Sequence, residues 1–451
     1  MKIKVSRYVS LAATMVAIFL SAGLLYLTLN EGSEIIYNGA LRIDSYSSFL
    51  FLIVSVGAFL ITFASFNQTR KWTTTPSYFS LILLITVGVY YIISVNDLVL
   101  LLAAWALVSI AAYALVAVKK DEAALEGASK YALMGVAASA FLLFGIGILI
   151  GLTGATTDMS SIARIATVAN LPLTLIAIIM LVVGIGFKIG IVPFHGWLPD
   201  VYGGSNALTI SFISTILKAS GVIALLRIVY PFATLLGDKW LVLFSILAIV
   251  TMTFGNVAAL IQRNVQRMMA YSSIAQIGYI LVGFAAATSG DGAAIGVQGV
   301  ALHLTMYILA TSGIFIALAY VKQKGMQTDL NGIGGLWKKM PVLSVGLTIL
   351  LLNLIGMPPL LGFWSKILYL FTSPLQIAPW LTLIAIANTG ISVGYYGQII
   401  KSIFLTSTPN EGTQTKESFR DPEVIVIVTA ALLTIILGLG LVPIIAQGLI
   451  I

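Results

Sequence analysis

Three lysines stand inside long apolar stretches of this sequence: Lys188 in GIGFKIGIVPFHGWLPD, Lys218 in STILKASGV and Lys366 in GFWSKILYLF. A lysine near the centre of a lipid bilayer costs at least about 2.5–3.5 kcal/mol, so three of them need an explanation. Burial disfavours the charged form of an amine, and a buried lysine therefore loads and releases a proton in a way that an exposed one cannot. The three lysines are candidates for a proton or ion relay. The competing interpretation is that each amine reaches the headgroups or forms a structural ion pair.

Prolines lie close to two of these lysines. Pro193 comes five residues after Lys188, and Pro358 and Pro359 come seven to eight residues before Lys366. Proline removes a backbone donor and collides with the preceding turn, so both helices should be interrupted there. An interrupted helix beside a titratable side chain is the arrangement in which membrane transporters hold ions. A kink that only shapes packing is the alternative.

The composition is that of a membrane protein. Of the 451 residues, 59% are hydrophobic and only 9% are charged, far from the usual balance of a soluble domain. Thirteen apolar stretches are long enough to cross about 30 Å of hydrocarbon, and they lie at roughly 8–29, 46–67, 77–95, 97–118, 129–153, 171–193, 206–230, 238–261, 269–287, 294–321, 342–371, 377–404 and 421–450. The connections are too short to fold alone, so a catalytic globular domain would have to be another chain. The sequence predicts an all-α polytopic membrane protein with about 13 transmembrane helices.

The net charge of +8 reflects topology rather than a nucleic-acid partner. Most basic residues fall in the loops of one face of the predicted bundle, and the other face receives little more than Arg42, Arg164 and Lys239. The positive-inside rule makes the first face cytoplasmic, with the N-terminus inside and the C-terminus outside. The first apolar stretch lacks a small-residue cleavage pattern, so we expect a retained span of a multi-pass protein of the cytoplasmic membrane.

The two proline–lysine neighbourhoods lie about 170–180 residues apart, which suggests an internal duplication. Spans three to seven and eight to twelve form two blocks of five, and the interrupted helix is the fourth of each block. The lysine precedes the break in the first block and follows it in the second, as in repeats of opposite orientation. The predicted organisation is N-terminal helices in 1–76, a first inverted repeat in 77–230, a second in 238–404, and a C-terminal loop and helix in 405–451.

The sequence offers few ligands for a cofactor. It contains no cysteine, which excludes disulfides, thiolate metal sites and cysteine-bound iron–sulfur clusters. Two histidines cannot form a metal cluster unaided, and a haem would need both of them on suitably facing helices. We therefore expect no cofactor and no metal in this chain.

Four segments carry a resemblance to a known family. The strongest is FKIGIVPFHGWLPDVYGGS, supported by EGASKYALMGVAASAFLLFGIGIL, GNVAALIQRNVQRMMAYSSIAQIGYILVG and LNLIGMPPLLGFWSKILYLF. From about residue 78 to about 405, the chain resembles the antiporter-like, proton-translocating subunits of respiratory complex I and the related Mrp-type cation/proton antiporters. It is most similar to subunit N, because the helix of His303 has no lysine or second histidine and because Lys366 stands where other subunits place an acidic residue.

The resemblance implies a role for several residues. Lys188 would be the proton-accepting lysine of the first half-channel, Lys218 the bridging lysine, and Lys366 the lysine of the second half-channel. His195 and His303 are relay candidates because the pKa of histidine lies near neutrality, although a lone intramembrane histidine is about as often a packing residue. The remaining relay candidates are Glu126 and Lys130, which match a family segment, and Asp200 at the cytoplasmic edge of the first half-channel.

The resemblance also implies partners. The chain would contact other membrane-arm subunits and lipid, and those subunits would hold NADH or another donor, FMN, iron–sulfur clusters and quinone. Redox chemistry in the partners would shift charge along the lysines and move protons outward. An Mrp-type antiporter or a membrane-bound hydrogenase module is the alternative within the same fold.

One position departs from the family. Family members carry a glutamate that pairs with the lysine of the first interrupted helix, and the matching position here is Ala106. Asp97 lies nine residues away, or about 13 Å along a helix, which is too far for a contact pair. Two readings stay open: the chain pumps with altered coupling, relying on water and on Lys218, or it has lost pumping and mainly links its neighbours.

Overall fold

The computed structural model describes residues 2–165, 170–288, 290–406 and 417–441. The loop of the predicted C-terminal segment 405–451 and the end of the predicted last span, 421–450, lie in part outside these residues. The helices are α1 Lys2–Glu31, α2 Ser45–Gln68, α3 Thr75–Ser94, α4 Leu98–Val116, α5 Glu122–Leu152, α6 Met159–Ile165, α7 Leu171–Ile189, α8 Trp197–Gly204, α9 Ala207–Phe212, α10 Lys218–Ile228, α11 Ala233–Leu236, α12 Asp238–Leu260, α13 Val265–Ala285, α14 Gly290–Gln323, α15 Leu336–Lys339, α16 Pro341–Ile355, α17 Leu361–Phe363, α18 Pro379–Leu405 and α19 Pro422–Ile436. Three π-helical segments, Ile213–Leu217, Trp364–Leu370 and Leu437–Leu441, continue α9, α17 and α19, and a small hairpin pairs β1 Glu34–Ile36 with β2 Leu41–Ile43.

The number of spans agrees with the prediction. Within the described ranges, twelve helices are long and apolar enough to cross a membrane, and the shorter apolar helix α16 with the segments after it supplies a thirteenth crossing. The chain is an all-α polytopic membrane protein. Each of the thirteen apolar stretches read from the sequence corresponds to one of these helices.

The centre of the bundle is built from helices that are apolar on every side. The most apolar windows of α14 and of the α9–α10 rod are completely buried, and that of α13 is 94% buried, whereas only 17% of the α1 window is buried. Glycines let α12 and α13 pack closely, since a β-carbon on Gly278 would come 2.6 Å from the Met252 Cβ. Such small-residue contacts are a usual means of joining membrane helices. The buried helices are also those that carry Lys218 and His303.

Two helices are interrupted as predicted, and both stop by the same local device. α7 ends before Gly190 and α16 ends before Gly356, each in the left-handed conformation with φ of 82° and 94°. The amide after each glycine bonds a carbonyl five residues back, Ile191 to Gly186 and Met357 to Leu352, which is the usual glycine-terminated helix end. The prolines follow three residues after each glycine or sooner, so glycine ends each helix and proline prevents it from resuming.

The two breaks resemble one another in further details. Gly190 and Gly356 stand 166 residues apart, and the peptide bonds before Pro193 and Pro359 are both cis. The residues that cap α4 and α13, Asp97 and Asn264, each form an isolated bridge to a later aspartate. The predicted duplication, with its boundaries and inverted orientation, stays a prediction.

An ion pair fastens α2 to α10 at one end of the bundle. The Arg227 Nη1 and Nη2 atoms donate to the two carboxylate oxygens of Asp44 at 2.8 Å, and Asp44 also caps α2 by accepting from the Ser47 amide at 2.8 Å. The side chains of Arg227 and Asp44 are only 8% and 6% exposed. Burial acts to raise the pKa of Asp44, but the Arg227 hydrogen bonds and charge and the Ser47 bonds outweigh it and hold that pKa below its usual value.

We expect Asp44→Asn to lower the free energy of unfolding by about 3 kcal/mol, because it leaves the buried Arg227 guanidinium without its counter-charge. Since the Asp44 pKa is depressed in the folded protein, its contribution is present above the pKa of the unfolded chain and is lost as pH falls through the folded value. Chemical unfolding in detergent, measured from neutral to acidic pH, tests both effects. Arg42→Gln is the control, because the half-exposed Arg42 meets Asp44 only at 3.4 Å and such a pair contributes about 1 kcal/mol or less.

The second break depends on one close approach. The Gly362 amide donates to the Asn353 Oδ1 at 2.7 Å, and a β-carbon at position 362 would overlap the Asn353 carbonyl oxygen. We expect Gly362→Ala to push α17 away from α16 and to lower the free energy of unfolding by about 1–3 kcal/mol. Gly390→Ala on α18 is the matched control, since nothing lies within 4 Å of its added carbon. Equal thermal stability of the two variants would contradict the close packing of the break.

Candidate functional site

Lys188 occupies the last turn of α7 and is only 3% exposed. Its Nζ atom donates to the Ser109 Oγ at 2.9 Å and lies 4.1 Å from the centre of the Trp105 ring, both on α4. The end of a helix carries a partial negative charge, which favours an ammonium at that place. An ammonium over a desolvated aromatic ring gains about 2 kcal/mol. Lys188 is thus held by a hydroxyl, a ring and a helix end.

Lys218 lies deeper in the centre, on the turn where the π-helical segment Ile213–Leu217 gives way to α10. It is 1% exposed, and its Nζ atom donates to the Ser273 Oγ at 2.8 Å and to the Ser273 carbonyl at 3.3 Å. The wider turn of a π segment shifts the register of the following helix and occurs often at functional sites. Here it accompanies a lysine that meets α13 through a serine.

Lys366 lies within the π-helical segment Trp364–Leu370, directly after the second break, and is fully buried. Its Nζ atom donates to the Leu354 carbonyl at 2.6 Å and lies 4.3 Å from the centre of the Tyr279 ring. The Leu354 carbonyl is among the last four of α16, which the end of a helix leaves without a partner inside that helix. The break therefore supplies the acceptor for the lysine.

Two contacts lie beside these lysines. A β-carbon added to Gly221, three residues after Lys218, would lie 3.7 Å from the Lys188 Cβ, an ordinary van der Waals distance. The His303 Nδ1 stands 3.3 Å from the Oγ of Ser365, the residue before Lys366. The first contact brings α7 against α10, and the second brings α14 against the segment that carries Lys366.

Tyr307 is a buried residue of α14, the helix that carries His303. It follows His303 by one turn on α14 and lies near Ser273, the partner of Lys218. The structure therefore places polar groups from α10 through α13 and α14 to the second break.

Several buried polar atoms of α8, α9, α13 and α14 have no hydrogen-bond partner among the described residues. They are the His303 Nε2, the Tyr307 and Tyr202 hydroxyls, the Thr209 and Thr311 Oγ1 atoms, and the Gln276 Oε1. Buried polar atoms of this kind are the ones that ordered water satisfies in proteins. The arrangement is suited to a line of water between the lysines.

No carboxylate pairs with any of the three lysines within the part of the chain that the structure describes. Ala106 lies on the exposed side of α4, whereas its neighbours Trp105 and Ser109 face inward. Asp97 caps α4, accepting from the Val99 amide at 2.8 Å, and so does not replace the family glutamate. The partners of the lysines are neutral.

The other predicted relay residues lie elsewhere. Lys130 pairs with Glu126 at 2.8 Å and with Asp200 at 2.9 Å, and Arg267 approaches Asp200 at 3.8 Å, in a cluster whose side chains are 42–65% exposed. His195 is half-buried, with its ring 4.4 Å from that of Phe254. The structure brings His303 to the lysines, and it records no contact between them and the other four predicted relay residues among the residues it describes.

The groups that hold the lysines are uncharged, so they do not stand out in the sequence as the lysines do. Trp105 and Ser109 lie four residues apart on α4, a spacing that puts them on one face of a helix. Ser273 and Tyr279 lie on α13 and look like ordinary residues of an apolar span. Glu423 is a further fully buried group, a carboxylate at the start of α19 with neither oxygen hydrogen-bonded within the described ranges.

Known proteins resemble this chain over most of its length. Residues 95–392, which include all three lysines, match the family described as NADH:quinone oxidoreductase/Mrp antiporter, TM. Over 446 residues the chain is 34% identical to F420H2 dehydrogenase subunit N of Methanosarcina mazei, covering 96% of this chain and 89% of the relative. It is also 34% identical over 390 residues to NADH-quinone oxidoreductase subunit N of Desulfitobacterium hafniense, covering 83% and 78% of the two chains.

A solved structure extends the likeness to three dimensions. A chain of respiratory complex I from Thermus thermophilus superposes with a TM-score of 0.78 at 27% identity, covering 98% of this chain and 99% of that one. The family match spans well over half of the sequence, and the curated relatives are aligned over most of their length. The chain belongs to the transmembrane family of NADH:quinone oxidoreductases and Mrp antiporters.

Proposed function

We propose that this chain is a proton-translocating membrane-arm subunit of a complex-I-like quinone oxidoreductase. The observation that carries the proposal is the line of three buried lysines, two of them beside helix breaks, each held by neutral groups. An amine with a neutral partner can give up its proton without leaving a bare carboxylate behind in the membrane. Relatives that bear the name NADH-quinone oxidoreductase subunit N support this choice over other members of the family.

In this proposal the three lysines act in sequence. Lys188 accepts a proton at the end of α7, Lys218 receives it across the contact with Gly221, and Lys366 takes it after His303. Transfer between groups that are not in direct contact uses water held by the unpartnered hydroxyls. Protons move outward because charge displaced elsewhere in the complex changes the protonation of each amine in turn.

The electron-transfer chemistry lies in partner subunits. Those subunits would hold the electron donor, FMN, iron–sulfur clusters and quinone, and the chain would contact them and lipid along its sides. We place the protein in the cytoplasmic membrane with its N-terminus inside, on the distribution of basic residues. An Mrp-type antiporter or a hydrogenase module with the same fold is the second candidate, because the matched family includes Mrp antiporters beside NADH:quinone oxidoreductases. Quinone-reductase subunits or Mrp-type partners encoded by neighbouring genes would separate the two.

A structural role without pumping is favoured by one observation, the lack of any carboxylate beside Lys188 in the described ranges. If Lys188 could not be kept protonated, proton transfer through the three lysines would stop at the first of them. This reading and the proposed function make opposite statements about what happens when the lysines are removed.

We expect Lys188→Ala and Lys366→Ala each to lower proton pumping by the assembled complex at least tenfold per electron transferred, because each change removes one member of the line. Pumping is measured in vesicles as the pH change that accompanies quinone reduction. Lys239→Ala is the control, since Lys239 is exposed at the start of α12 and has no part in the proposed relay. Normal pumping by the Lys188 and Lys366 variants would favour the structural role.

A further inference from the structure

Both lysines beside helix breaks lie against the face of an aromatic ring, and the third does not. The Lys188 Nζ is 4.1 Å from the centre of the Trp105 ring, and the Lys366 Nζ is 4.3 Å from that of Tyr279. The remaining contacts of this type in the described ranges involve Arg7, Lys119 and Lys324, which lie near helix ends.

Each of the two amines also donates a hydrogen bond to an uncharged oxygen. Lys188 donates to the Ser109 hydroxyl at 2.9 Å, and Lys366 donates to the Leu354 carbonyl at 2.6 Å. Each amine thus lies between a ring and one neutral oxygen. The arrangement occurs twice, with rings from different helices, α4 and α13, and this recurrence argues against a chance packing contact.

We propose that Trp105 and Tyr279 are positioning residues that hold the protonated forms of Lys188 and Lys366 in place of a carboxylate. The inference rests on the proposed relay and adds the groups that set its proton affinity. The negative face of a ring attracts an ammonium, whereas a neutral amine gains little from it. The contact therefore strengthens when the proton arrives and weakens when it leaves.

A ring differs from a carboxylate in what remains after the proton has gone. A carboxylate stays charged and has to be neutralised or solvated in the membrane interior. A ring leaves no charge behind, so the lysine can discharge without a second ionisable group. This property explains how the site operates with Ala106 at the position where the family has its glutamate.

The Tyr279 ring is held in position by a buried polar network. The Asn256 Nδ2 donates to the Tyr279 hydroxyl at 2.9 Å and to the Asn388 carbonyl at 3.0 Å, and the Tyr395 hydroxyl donates to the Asn256 Oδ1 at 3.1 Å. These bonds join α12, α13 and α18. The ring can therefore face the amine with little freedom to turn away.

The test replaces Trp105 by tryptophans with one, two and three ring fluorines in the full complex. Fluorine withdraws electrons from the ring face and weakens its attraction for a cation, while the size and hydrogen bonding of the indole change little. Proton pumping is measured in vesicles across a range of pH. We expect the alkaline limit of pumping to move to lower pH with each fluorine, reaching about one pH unit, or tenfold in proton affinity, for the most substituted ring.

The series has a control at another buried tryptophan, and a separate pair of variants tests the second lysine. The same fluorotryptophans at Trp240, a buried indole that donates to the Phe284 carbonyl and packs on Phe244, should leave the pH profile unchanged. At the second lysine, Tyr279→Phe keeps a ring and should retain most pumping, whereas Tyr279→Leu should shift the profile in the same direction as fluorination.

An unshifted pH profile across the Trp105 series, in complexes that assemble and pump, would overturn the inference and leave Trp105 as a packing residue. Equal pH profiles of pumping for Tyr279→Phe and Tyr279→Leu would overturn the inference at Lys366 and leave Tyr279 as a packing residue. Failure of the relay itself is a different result, because it would appear as normal pumping by Lys188→Ala and Lys366→Ala.

Discussion

An amine in the membrane interior must find a partner for its proton or lose it, and the rest of this structure follows from that constraint. Placing a bare ammonium in a medium of low dielectric constant is costly. This chain buries three such groups almost completely and gives each a hydroxyl, a carbonyl or a ring. None of these partners carries a charge, so no fixed counter-charge holds the protonated form of each lysine.

The helix breaks supply part of this environment. A continuous helix uses all of its interior carbonyls, and no acceptor would be left at the depth of Lys366. Ending α16 at Gly356 frees the Leu354 carbonyl, and the chain after the break returns along it to bring the lysine there. At the first break the same glycine end leaves Lys188 on the last turn of α7, where the helix dipole favours a cation. The breaks are thus part of the site. At the second break, the packing of Gly362 against Asn353 holds α17 against the end of α16.

Replacing a glutamate by alanine changes how charge is handled in the first half of the chain. A buried ion pair is broken only at a large cost, and its remaining member then stays buried and charged. In the proposed relay, a ring and a hydroxyl take the place of this charged partner at Lys188. Ala106 itself is exposed on α4, away from the side that holds Lys188.

The sequence by itself determined the class of the fold, the thirteen spans, the two breaks and the three lysines. These features are local: hydropathy marks a span, glycine and proline end a helix, and a charge in an apolar run needs no partner to be noticed. The sequence also suggested His195, Glu126, Lys130 and Asp200 as relays, a prediction that still awaits a direct test, and the structure leaves these residues apart from the lysines. Only the tertiary structure identified the partners of the three lysines, which are Trp105, Ser109, Ser273, Tyr279 and the Leu354 carbonyl. Those groups are uncharged and distant along the chain, and their role arises from which helix faces meet, a property set by packing between elements rather than by any local pattern.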